Sequence, residues 1–224
     1  YAARAARNVV PGRAASARRA RRGRAMTFPP PNWPTQGQTL DSSWPPDARR
    51  QTVVQIARAV VGLAPTDRTY HELCYPHDTP AQAAQMARGQ SACALVCAGI
   101  LRCMGFEHPL LDEPYARQYL KMDAMSRLRS MGSWYADPSR LPLPGEMCII
   151  GSGLGTHALT AVGGDAEWLE SVDGGRSAIR VARRQIVRSG GRVGLRDSMG
   201  TRWVVGVLAC GELVATGEWC LPPG

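Results

Sequence analysis

The chain changes texture at Leu141-Pro142-Leu143-Pro144-Gly145, and no other feature restricts its fold as strongly. Upstream of this segment apolar residues recur at helical spacing; downstream, short β-branched runs alternate with glycine-rich turns. Two prolines and a glycine end any helix that reaches them and open an extended backbone. Helices followed by a run of strands argue an α+β fold, with N-terminal helices packed on a central antiparallel β-sheet. A chain of 224 residues, 44% hydrophobic, is long enough for one substantial core and short for two full domains.

The formal charge of +9 invites a nucleic-acid reading, but residues 1–25 hold eight arginines and no acid, which leaves +1 for the remainder. The basicity is therefore local. Residues 1–25 read as an Arg/Ala-rich disordered tail, with Met26 directly after it, and nucleic acid or an anionic surface would be met only through that arm. No apolar stretch in the tail has the length of a secretory signal or a membrane helix, and the compartment is left open. Residues 26–46, with Phe28-Pro29-Pro30-Pro31 and Trp44-Pro45-Pro46, favour a polyproline-like linker or strap.

Asp47 is placed to cap a helix over 48–63, and Thr79-Pro80 to open a second one that ends at Gly89. A third helix is expected from Ser91, as N-cap, to Met104, and a fourth from Pro114 to Met131. Strands are expected over 146–150, 156–162, 167–172, 178–182 and 202–208. The glycine-rich stretches Gly151-Ser152-Gly153-Leu154-Gly155 and Ser189-Gly190-Gly191 lack the Gly-Lys-Ser/Thr ending of a phosphate loop and read as turns.

Seven cysteines, at 74, 93, 97, 103, 148, 210 and 220, cannot all pair within the chain. Cys210 and Cys220 could close a small loop under oxidising conditions. Only Cys93 falls in the first turn of a predicted helix, where unpaired backbone N–H groups and the positive end of the helix dipole favour a thiolate. Cys97, Cys103 and Cys148 are assigned to packing. His157 opens a predicted strand downstream and is the candidate base; the following strand offers Glu170, Ser171 and Asp173 to orient its ring. Asp173 is favoured, because a carboxylate at a strand end before Gly174-Gly175 can turn back toward the histidine. The Cys93 backbone N–H, assisted by the Gln90 side chain, is the candidate oxyanion hole.

Cys93-Ala94-Leu95-Val96 on a helix, the Leu143-Pro144-Gly145-Glu146 lead-in to a strand, and His157-Ala158-Leu159-Thr160-Ala161-Val162 resemble the papain-like NlpC and CHAP cysteine hydrolases over residues 50–175. The resemblance implies a papain-like hydrolase domain over 47–210, with 211–224 as a C-terminal extension. It also implies cleavage of amide bonds, with bacterial cell-wall peptidoglycan peptides as the substrate class and no cofactor. The chain departs from the pattern in two places: Ala92-Cys93-Ala94-Leu95-Val96 replaces Asp-Cys-Ser-Gly-Leu-Val, and no Trp-Gly-Gly follows Tyr70.

Two competing readings are weighed against this one. His71-Glu72-Leu73-Cys74-Tyr75-Pro76-His77 crowds metal-ligand types into seven residues, but Pro76 breaks the helical register and no second ligand pair accompanies them, so no metal is expected. The other is a non-catalytic binding domain of similar fold, working through the Arg-rich arm or an aromatic groove of Trp134, Tyr135 and Trp168.

Overall fold

Strand residues alternate between two faces, so a strand buried on both faces needs two cores. From Met147 onward the chain meets that condition. In β2 (Met147–Ser152), Cys148 and Ile150 belong to one apolar cluster, while Met147 and Ile149 belong to another. In β3 (Gly155–Gly164), Leu159 and Ala161 join the first cluster, Ala158 and Val162 the second. The first cluster takes residues from every strand between β2 and β7 and lies inside a closed barrel. The second lies between the barrel wall and the helices.

The computed structural model describes residues 33–89, 92–108, 111, 129–152, 155–174 and 177–222. After β3 come β4 (Trp168–Asp173), β5 (Arg180–Ser189), β6 (Arg192–Asp197) and β7 (Gly200–Leu208). Each pairs antiparallel with the next, and β7 pairs back onto β2, which closes six strands into an up-and-down barrel. An even number of strands makes this closure antiparallel throughout. A two-residue strand, β1 (Trp134–Tyr135), adds to β7 beyond the end of β6.

Four α-helices stand among the described residues: α1 (Pro46–Ala59), α2 (Arg68–Cys74), α3 (Pro80–Gly89) and α4 (Cys93–Cys103). Helices α1 and α4 lie against β3, and buried Thr160 of β3 sits 3.6 Å, Oγ1 to Sγ, from Cys97 of α4. No helix among the described residues is long and apolar enough to cross a membrane. The compact unit runs from Trp33 to Gly224. Its core takes Leu40 from the strap region and Leu213, Ala215 and Trp219 from the C-terminal segment, and buried Arg49 ties the ends in by donating to the Gly211 and Asp41 carbonyls.

The expected papain-like α+β arrangement, helices on an open antiparallel sheet, is therefore corrected to a closed six-stranded barrel with four short helices. The cause lies in one hairpin. The fourth strand, expected over 178–182, runs from Arg180 to Ser189, and Arg192–Asp197, outside every expected strand, is β6. Gly190 and Gly191 take φ of +56° and +72°, the left-handed pair that a tight hairpin turn requires, and the extra strand reaches from β5 to β7. The expected helix over 48–63 ends at Ala59, and that over Pro114–Met131 falls almost wholly outside the described residues, as do the 1–25 tail and residues 26–32.

Candidate active site

Helix α4 begins at Cys93, with Ala92 in the N-cap position and no side-chain cap bond. Ser91, expected as that cap, and Gln90, expected beside the oxyanion, lie outside the described residues. An alanine at the cap carries no oxygen to accept the first-turn N–H groups. Their positive field falls on the sulfur of the same residue.

The structure brings Cys93, His157 and Asp173 together from three elements: the start of α4, the third residue of β3 and the last residue of β4. His157 Nε2 donates to Asp173 Oδ2 at 2.9 Å, and the ring is also hydrogen-bonded to Cys93. With Nε2 committed to the carboxylate, Nδ1 is the nitrogen left for the sulfur. Close packing holds the elements in place: a Cβ added at Gly174 would lie 2.5 Å from Val96 Cγ2 and 3.1 Å from the Ala92 carbonyl, so the strand end meets the first turn of α4 at van der Waals distance.

Burial alone would push the His157 ring toward its neutral form, but hydrogen bonds to Asp173 and Cys93, with their charges, overcome it and raise its pKa to about 9. Burial likewise acts against the Asp173 carboxylate; hydrogen bonds from His157 and Arg184, and the Arg184 charge, outweigh it and hold the pKa well below the usual carboxylate range. The site is thus built to keep an imidazolium and a carboxylate charged inside the protein. Cys97 and Cys148 are pushed up strongly by burial, and Cys74, Cys103 and Cys210 to about 12, which fits packing thiols rather than nucleophiles.

Sequence reasoning missed the residue that anchors Asp173. Arg184, on β5 and 4% exposed, donates Nη1 to Asp173 Oδ1 at 3.2 Å and to Ser171 Oγ at 2.7 Å, donates Nη2 to Asp173 Oδ2, and reaches Asp197 Oδ2 through Nε at 3.2 Å. Ser171, weighed as an orienter itself, instead donates to Asp173 Oδ1 at 2.7 Å. Arg202 completes the chain, donating to Asp197 Oδ2 at 2.8 Å. The sequence offers Arg184 as one of four arginines along β5, and its inward face becomes evident only with the barrel closed. Glu170 lies between Leu169 and Ser171 and so faces away from this network.

None of the seven cysteines forms a disulfide; Cys210 is buried, while the exposed Cys220 lies beside Cys103, whose carbonyl accepts from the Cys220 N–H at 2.8 Å. Of the crowded metal-ligand types, His71 Nε2 contacts the Pro65 carbonyl at 2.6 Å and Cys74 is buried next to Tyr70. Among the described residues no group of three or more His, Cys, Asp or Glu side chains could hold a metal ion. The three aromatics stand apart from the site: Trp168 opens β4, at the far end from Asp173, with the Arg183 guanidinium 4.6 Å over its ring, and Tyr135 lies under Arg140 at 4.2 Å.

A cavity of about 270 Å³ opens on the other polar groups of this region; His157 and Asp173 line it, whereas Cys93, 1% exposed, does not. Comparison with protein-family models, with curated proteins and with solved structures finds no match for the chain.

Proposed function

We propose that the chain is a cysteine hydrolase that cleaves an amide bond through a thioester on Cys93. One observation carries the reading: His157 is hydrogen-bonded at once to a cysteine in an uncapped helix first turn and to a buried, arginine-anchored aspartate. The Cys93 thiolate attacks the carbonyl carbon, and the oxyanion that forms accepts the first-turn N–H of Cys93. His157 gives its Nδ1 proton to the leaving nitrogen as the C–N bond breaks. A water, losing its proton to Nδ1, then attacks the thioester; the acid departs and the thiolate and imidazolium are restored. Asp173 keeps the ring oriented and the imidazolium stable throughout. Cell-wall peptides are the substrate class to assay first, on the strength of the residues shared with the NlpC and CHAP hydrolases.

The test uses the thiol, because it requires no substrate. A disulfide reagent such as dipyridyl disulfide, applied at about pH 5, should modify Cys93 faster than the exposed Cys220, since an ordinary thiol is almost wholly protonated there. His157→Gln should slow that reaction at least about 100-fold, and Cys93→Ala should abolish hydrolysis of any peptide the wild type cleaves. Labelling of Cys93 no faster than Cys220, read by peptide mass spectrometry, would overturn the proposal and leave a non-catalytic binding domain with a shielded thiol, a reading that the burial of Cys93 favours.

A further inference from the structure

The barrel interior is apolar at one level and ionic at the next. Along β3, β4, β6 and β7 the inward positions pass from Leu159, Leu169, Leu195 and Val204 to His157, Asp173, Asp197 and Arg202. The cavity of about 270 Å³ occupies this ionic end, which is space for about nine waters. That is room for an amino-acid-sized group, and the surrounding charges describe which kind.

Three guanidiniums line the cavity against two carboxylates. Both oxygens of Asp173 are taken, Oδ1 by Ser171 and Arg184 and Oδ2 by His157 and Arg184. Asp197 is shared between Arg184 and Arg202. Arg180, solvent-exposed at the mouth of this space, sits directly across from Asp173 in the β4–β5 register and lines the cavity, and it has no carboxylate partner among the described residues. Arg202 adds a second unmet donor, its Nε being buried with no acceptor among the described residues. The imidazolium of His157 is already balanced by the thiolate of Cys93 in the proposed resting state. One positive charge is left over, and it stands in the cavity.

The position of the cavity says which half of a substrate would meet that charge. His157 hands its proton to the leaving nitrogen, and the cavity is lined by His157 and not by Cys93. The acyl half therefore stays with the sulfur, and the amine half enters the cavity. We propose that the ionic end of the barrel is a subsite for a carboxylate carried by the amine half of the substrate, with Arg180 as its counter-charge. This rests on the hydrolase reading of Cys93 and His157 and narrows it to N-acyl amino acids or peptide bonds whose amine side bears a free carboxylate. A carboxylate matches the planar guanidinium fork and the single surplus charge, whereas a dianion exceeds that charge and a neutral amine leaves Arg180 unpaired.

N-acetylglycine and N-acetylglycinamide, which differ only in that charge, test the subsite directly. The full chain with labelled histidines is titrated with each, and the ring resonances of His157, assigned with His157→Gln, are followed by NMR. Saturable shifts with N-acetylglycine, at least tenfold weaker with the amide, lost in Arg180→Gln and partly retained in Arg180→Lys, are the expected result. Equal response to both compounds, no response to either, or an unchanged response in Arg180→Gln overturns the inference. Dipyridyl disulfide labelling of wild-type Cys93 is measured in parallel. A reactive Cys93 with no carboxylate preference sinks the subsite alone, and an inert Cys93 with the preference intact sinks the hydrolase reading alone.

Discussion

His157 should retain its proton far above the ordinary range of histidine, and the folded state should depend on it. The ring is 14% exposed and its pKa rises from 6.5 to about 9. A folded-state pKa above the unfolded value means that the native protein binds the proton more tightly. The stability from this group is therefore complete below the unfolded pKa of 6.5 and is lost as pH rises through about 9. The rise from 6.5 to about 9, at 1.36 kcal/mol per tenfold change in proton affinity, amounts to about 3 kcal/mol, of which about 1 kcal/mol should disappear between about pH 6 and about pH 7.5. Over that interval the thiols of the unfolded chain are still almost wholly protonated, so the histidine dominates it. Urea unfolding across the interval gives the stability change, and the His157 ring resonances give the midpoint. Asp173→Asn should lower the midpoint most and Cys93→Ala less, because the bond to Asp173 is the larger of the two raising influences. A midpoint near 6.5 with stability flat across the interval would refute the ion-pair description of the site.

Two further substitutions probe how the site is held. Arg184→Met removes the cation shared by Asp173 and Asp197 and leaves buried Asp173 with His157 as its one charged partner among the described residues, which should cost about 3 kcal/mol in urea unfolding. It should also move acid unfolding to higher pH, because Asp173, now less depressed, loses its stabilising charge sooner as pH falls; a cost under about 1 kcal/mol would count against the anchoring role. Gly174→Ala drives a Cβ to 2.5 Å from Val96 Cγ2, parting the end of β4 from the first turn of α4. It should cost about 1–3 kcal/mol by overpacking and slow labelling of Cys93 at about pH 5 roughly tenfold; unchanged labelling would show that the two elements need not touch for the pair to form.

Local physics made much of this molecule legible from residue order. The proline-glycine break at 141–145, the Thr79-Pro80 start of α3 and the placement of Cys93 in a helix first turn all follow from short-range sterics and backbone hydrogen bonding, which neighbouring residues control. His157 and Asp173 were likewise visible as strand-end polar residues near predicted turns. The closed barrel was not, because closure depends on β7 pairing with β2, segments more than fifty residues apart, and on β6, which the two-glycine hairpin after β5 adds between β5 and β7. Arg184 and Arg180 shared that fate. On an open strand each is a polar residue at an alternate position, and only when six strands curl round does the alternate face become an interior where the Arg184 guanidinium must find carboxylates and a cavity whose exposed mouth Arg180 lines. Residue order thus fixes where a thiol, an imidazole and a carboxylate stand along the chain, whereas their meeting at the rim of a barrel, beside a cavity lined by three arginines, comes from long-range strand pairing that no local run of residues encodes.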